Sequence, residues 1–246
     1  MFQTGDSSPL GPGDLVYAIG DIHGRADLLD RLYRRIRAHA EDAAPGRRVV
    51  VHLGDYVDRG PDSRGVIDRV MAPPLPGFAP PVALLGNHEF LMLEFLKDPV
   101  EYGPGWMANG AAQTFASYGV APPKRADDPA ELTRARDALA RALPPAHRGF
   151  LETLPTMHRA WIFVFVHAGV RPGIALDRQS VDDLIWIRDE FLRSPANHGG
   201  VIVHGHSITP EPDFQPNRIG IDTGAYRSGR LTALCLRDGP PYILQT

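Results

Sequence analysis

Five short apolar runs in this chain each stop at a glycine, beside side chains of the kind that bind metals. They are residues 15–24 (LVYAIGDIHG), 49–55 (VVVHLGD), 82–89 (VALLGNHE), 161–169 (WIFVFVHAG) and 201–206 (VIVHGH). A continuous apolar run ended by glycine is the pattern of a strand buried on both faces. Open α/β sheets bind ligands in the crevice beyond the carboxyl ends of their strands. Asp21, His23, Asp55, Asn87, His167 and His206 are therefore expected to meet at one rim of a sheet. That composition predicts a metal centre, and a dinuclear one.

The rest of the sequence leaves room for such a centre and excludes several alternatives. A length of 246 residues suits one α/β domain with a full core. A net charge of -3 gives no overall basic footprint, so no nucleic-acid partner is expected. The single cysteine, Cys235, lies in the apolar run 231–236; it is read as a buried strand residue and permits no intramolecular disulfide. With no signal-like or membrane-length segment, a cytoplasmic protein without a membrane partner is expected. A monomer is favoured.

Along the chain, the Gly-, Pro- and Ser-rich residues 1–14 read as a flexible N-terminal arm, with one domain over 15–246. Leu28, Leu29, Leu32, Tyr33 and Ile36 form the apolar stripe of a helix over 26–40, whose arginines face solvent. Further helices are expected at 63–71, from 89 to about 97, and at 111–118, 129–143, 146–154 and 180–187. Residues 99–110, rich in glycine and holding Trp106 and Asn109, read as a loop long enough to be a lid. The whole block 97–160 lacks ligand chemistry and is where substrate specificity is expected. Stretches 218–221, 231–236 and 242–244 read as antiparallel closing strands.

The ligand set mixes carboxylate, amide and imidazole without thiolate. It suits Mn, Fe, Zn or Co and neither Ca nor a structural zinc. Asp55 is the natural bridge, because one carboxylate can hold two cations about 3.5–4 Å apart. Two divalent cations with two carboxylates and a hydroxide keep one net positive charge. Such a centre attracts phosphate and lowers the pKa of a bound water towards about 7. His88, directly after Asn87, reads as a general acid, with Asp58 orienting it and raising its pKa. Arg59 and Arg188 offer the forked donors that phosphate oxygens favour.

The motifs GDIHG (20–24), GDYVDRG (54–60) and GNHE (86–89) resemble the three signatures of the PPP-type, calcineurin-like metallophosphoesterases. Later segments, WIR (186–188), GH (205–206) and IDTG (221–224), are most similar to the phage lambda and bacterial serine/threonine protein phosphatase branch. The resemblance spans residues 15 to about 236. It implies a four-layer α/β/β/α sandwich with two metals at its rim, Mn the first choice. It further implies Asp21 and His23 on one metal, Asn87, His167 and His206 on the other, and Asp55 bridging. Arg59 and Arg188 would hold the phosphate, while Asp58 and His88 supply the proton. The activity implied is hydrolysis of phosphate esters by a metal-bridging hydroxide, with a phosphorylated protein or a small phosphate ester as substrate. A symmetrical diadenosine tetraphosphate hydrolase, a phosphodiesterase and a non-catalytic metal-binding scaffold are the alternatives.

Other residues receive plainer readings. His204 is taken as support for the shell rather than a seventh ligand, and His52 as a satisfied core residue. His39, His147, His158 and His198 are placed at the surface or in loops. Trp106 is assigned to packing rather than substrate stacking, and Glu89 to a helix start that also orients its neighbours. Asp222 is open between supporting the metals and forming a turn. Tyr226 falls near the position of the eukaryotic branch's substrate-loop tyrosine, inside a phage-type motif, and its part is left open.

Overall fold

The apolar runs build two five-stranded sheets laid face to face. The computed structural model describes residues 10–11, 13–73 and 76–246. The first sheet contains β1 (Leu15–Ile19), β2 (Arg48–His52), β3 (Val82–Ala83), β9 (Thr232–Leu236) and β10 (Tyr242–Gln245), in the order β10-β9-β1-β2-β3. The second contains β4 (Met157–Ala160), β5 (Phe163–Val166), β6 (Val201–His204), β7 (Asp213–Gln215) and β8 (Arg218–Gly220), in the order β4-β5-β6-β8-β7. In each sheet three adjacent strands run parallel, β1, β2 and β3 in the first and β5, β6 and β8 in the second, so the turns that follow them emerge at one end.

The alternation along β1 shows why both sheet faces are buried. Val16 and Ala18 enter an inter-sheet core with Val51, Leu53, Phe165, Val203 and Leu234. Leu15, Tyr17 and Ile19 face the opposite way, into a core shared with helices. Those helices are α1 (Ala26–Glu41), α2 (Ser63–Val70), α3 (Asn87–Lys97), α4 (Pro99–Ala108), α5 (Ala111–Ser117), α6 (Pro129–Ala142) and α7 (Pro145–Glu152). The outer face of the second sheet packs on α8 (Val181–Trp186) and α9 (Asp189–Leu192), through Leu184, Ile185 and Phe191. A short α10 (Ala225–Ser228) precedes β9. The result is the expected α/β/β/α sandwich. Among the described residues no helix is long and apolar enough to cross a membrane.

Helix α1 buries the stripe that its sequence marks and leaves Arg31, Arg34, Arg35 and Arg37 exposed. Cys235 is buried on β9. Three expectations need correction. Residues 99–110 are not a loop: Pro99–Ala108 is helical, started by the Asp98 carboxylate, which accepts the Val100 and Glu101 amides. β8 is not an antiparallel closing strand; it runs parallel to β6, with β7 as its antiparallel edge. His147 is not at the surface, since it is buried between the Tyr118 hydroxyl and Asp68. Of the arm, residues 1–9 and 12 lie outside the described residues. Leu10 is buried against the inter-sheet core, and the Asp14 carboxylate accepts the backbone amides of Gly11 and Arg47.

Candidate metal centre and acid dyad

The turns after β1, β2, β3, β5 and β6 bring the ligand side chains together, nearly all shielded from solvent. Two groups have ligand atoms close enough to hold one ion each: His23, Asp55 and His88, and Asp55, His167 and His206. Asp55 belongs to both. The loops close this tightly because glycine stands beside Asp21, His23, Asp55, Asn87 and His206. A Cβ on Gly86 would strike Asp55 Oδ1, and one on Gly205 would strike Asp21 Oδ1. His23, Asp55, Asp58, Arg59 and His206 all adopt positive φ. That conformation costs a non-glycine residue about 1–3 kcal/mol, and here it is concentrated on the site.

The histidines are set up as ligands. His23 Nδ1 lies 2.8 Å from the Val57 carbonyl and His167 Nδ1 lies 2.9 Å from the Leu53 carbonyl. A carbonyl only accepts, so each Nδ1 carries the proton and each Nε2 presents a lone pair. The His167 lone pair faces Asn87 Oδ1 at 2.9 Å, an arrangement of acceptor against acceptor that a cation between them would resolve. His206, bonded to the Trp186 backbone, leaves its buried Nε2 without a partner among the described residues. Burial holds the imidazoles of His23 and His206 down and brings His167 to about 3, so all three are neutral, the form a metal ion would need. Conversely, burial pushes the carboxyls of Asp21, Asp55 and Asp222 up, reinforced at Asp21 and Asp55 by repulsion from neighbouring carboxylates. Cations would relieve that repulsion. The donor set fits a pair of divalent ions.

Asp21 falls outside both groups but in the same buried cluster. Its two oxygens take the His206 backbone amide at 3.1 and 3.2 Å, and Asp222 lies against it. Asp222 also accepts the Gly224 amide at 2.8 Å, which is the turn role read from its sequence. His204 joins neither group; its ring packs on Phe191. His52 is buried with Nε2 on the Tyr33 hydroxyl at 2.8 Å. Glu89 does more than start a helix. Its carboxylate accepts four backbone amides, those of Gly86, Asp55, Tyr56 and Val57, and so fixes the turn that carries Asp55.

His88 Nδ1 lies 2.6 Å from Asp58 Oδ2, and its Nε2 looks towards Asp55 Oδ2 at 3.8 Å. Burial pushes the Asp58 carboxyl up to about 7. The expectation that Asp58 raises the pKa of His88 is corrected. Burial, reinforced by the positive charge of Arg59, brings that imidazole down to about 3. Arg59 lies over the Tyr226 ring, 4.9 Å from its centroid, with Nη1 3.1 Å from His23 Nε2. Tyr226 also meets the His23 ring edge-on. Arg188 is exposed beside His206, its Nη1 donating to the His206 carbonyl at 3.1 Å.

Two residues of this network carry no sequence signal. Trp106 Nε1 donates to Asp58 Oδ2 at 2.8 Å, and Thr114 Oγ1 donates to Asp58 Oδ1 at 2.5 Å. Trp106 is fully buried and packs on Phe95 and Phe115, so the packing role holds and a polar role joins it.

Comparison with known proteins agrees with this geometry. A sequence-family profile described as "Calcineurin-like phosphoesterase" matches residues 15–244. The chain is 25% identical to serine/threonine-protein phosphatase 2 of Salmonella typhimurium, covering 88% of this chain and 90% of that one. It is 29% identical to bis(5'-nucleosyl)-tetraphosphatase PrpE (asymmetrical) of Anoxybacillus flavithermus, over 88% of each chain. A solved structure named "Crystal structure of a putative diadenosine tetraphosphatase" superposes with a TM-score of 0.63 at 22% identity, covering 99% of this chain and 97% of that one.

Proposed function

The chain belongs to the calcineurin-like phosphoesterases, a metal-dependent hydrolase family, and from that premise we propose a phosphomonoesterase acting on phosphoserine or phosphothreonine in proteins. The observation that carries the choice is the His88–Asp58 pair, buried and 2.6 Å apart. An alkoxide is a poor leaving group and needs a proton as it departs; a nucleotide's terminal phosphate does not. A general acid held this rigidly matches the first class of substrate.

Asp21, His23, Asp55, Asn87, His167 and His206 would hold two divalent ions, Mn by preference. When bound, these supply an activated water and neutralise phosphate charge. Arg59, beside His23, and Arg188, beside His206, would grip the phosphate oxygens and stabilise charge as it develops. His88 Nε2 gives a proton to the departing oxygen while Nδ1 takes one from Asp58. Asp58 is left as a carboxylate, whose charge is shared by the new Nδ1–H of His88 and by the Trp106 Nε1 and Thr114 Oγ1 donors. The relative named as a protein phosphatase supports this reading.

A second reading, hydrolysis of dinucleoside tetraphosphates, draws support from the PrpE relative. The deciding experiment is the His88→Asn variant on two monoesters. Turnover of a phosphothreonine peptide should fall roughly 10²–10⁴-fold, and that of p-nitrophenyl phosphate far less, since its leaving group hardly needs a proton. Equal losses would remove His88 from the acid role.

A further inference from the structure

We infer that Trp106 and Thr114 are positioning residues for proton delivery, bracing Asp58 from helices α4 and α5 so that it holds His88 in line. The inference rests on the reading of His88 as the proton donor.

Asp58 is contacted on both oxygens. Oδ2 lies 2.6 Å from His88 Nδ1 and accepts the Trp106 Nε1–H, and Oδ1 accepts the Thr114 hydroxyl. Thr114 Oγ1 and Ser63 Oγ also accept the Asp58 amide, at 2.9 and 3.0 Å. Between the two helices, the Gly110 carbonyl accepts the Arg59 amide at 3.1 Å. A Cβ on Gly110 would lie 2.9 Å from Arg59 Cγ, so this turn must pass close against the arginine. Asp58 and Arg59 stand at φ 71 and 67, a region that other residues than glycine occupy only when the surroundings impose it. The segment from Trp106 to Thr114 is that surrounding. It fixes the acid's partner and the phosphate-binding arginine together.

A merely structural role would look different in kinetics. Trp106 fills space between Phe95 and Phe115 whether or not its N–H is bonded. Trp106→Phe keeps an aromatic ring there and removes only the donor, while Thr114→Val keeps the shape and removes the hydroxyl. Both variants would be loaded with Mn and assayed on a phosphothreonine peptide and on p-nitrophenyl phosphate. The expected result is a loss in kcat of about tenfold on the peptide, the worth of one hydrogen bond to a charged acceptor, with less than about twofold on the nitrophenyl ester. KM should hardly move, and Thr114→Ser should restore the peptide activity. In the His88→Asn background neither change should add a further loss, because both act through the same proton.

Equal losses on both substrates, or full additivity with His88→Asn, would overturn the inference. Should Trp106→Phe lower the unfolding midpoint, the Thr114→Val and Thr114→Ser pair decides alone. His88→Asn reports separately on the premise: if it shows no leaving-group dependence, the acid role itself fails. If it does while Trp106→Phe and Thr114→Val show none, only the positioning role is lost.

Discussion

His23 and His167 aim their Nε2 atoms at opposite oxygens of Asp55, each 3.4 Å away, the first at Oδ2 and the second at Oδ1. Both rings are fixed from behind by backbone carbonyls. One carboxylate is thereby shared between two sets of lone pairs, which is the arrangement a bridging ligand requires.

Replacing that bridge should therefore uncouple the two ion sites. An asparagine at 55 keeps one oxygen and loses the charge that two cations share. After equilibration with Mn and dialysis, elemental analysis should find two ions per wild-type chain and at most one in Asp55→Asn. Activity should fall by about a hundredfold or more. Equal metal content in the two proteins would contradict the bridge.

The Glu89 carboxylate should matter to stability out of proportion to its distance from the substrate. Each of its oxygens accepts two backbone amides in a fully buried setting. In Glu89→Gln the amide nitrogen cannot accept, so two buried N–H groups lose their partner. A destabilisation of about 2–4 kcal/mol is expected in urea unfolding of metal-stripped protein. Weaker Mn binding should accompany it, because the turn that carries Asp55 loosens. An unchanged urea midpoint would show that the four bonds contribute nothing.

His52 should make the fold acid-sensitive without taking part in catalysis. Burial lowers its pKa to about 4, against about 6.5 in an unfolded chain. As pH falls the unfolded state takes the proton first. The stability linked to His52 is present in full above about 6.5 and is lost as pH falls through about 4. Near pH 5 the loss amounts to about 2 kcal/mol. His52→Gln, which keeps an acceptor for Tyr33, should lose that much less than wild type between pH 7 and 5. Parallel pH profiles of stability would contradict this.

What the sequence revealed and what it concealed have different physical origins. Candidate ligands such as Asp55 and His167 are readable because each follows a buried strand, and the fold needs only strand order to bring such ends together. Asp58 and Trp106 are 48 residues apart and meet through packing, which leaves no local periodicity to read. Helix α4 was missed because Gly103, Pro104 and Gly105 are poor helix formers. Tertiary contact overrides that preference: Gly103 sits so close to Leu132 that a Cβ there would lie 2.5 Å from Leu132 Cδ2. The Asp98-Pro99 pair was a start signal available in the sequence, an N-cap followed by proline at the first helical position. β8 was misassigned because period-two patterning finds a strand but says nothing of its direction. His147 reads as a surface residue because its partners, Tyr118 just past α5 and Asp68 on α2, are distant in sequence.

The central claim is that this rim of carboxylates and imidazoles, with its buried acid, serves phosphoserine and phosphothreonine esters. Its most direct test is parallel turnover of a phosphothreonine peptide and of diadenosine tetraphosphate by metal-stripped protein resupplied with Mn. The account predicts no turnover before Mn is added and, afterwards, faster release of phosphate from the peptide. Dominant cleavage of the dinucleotide would contradict it.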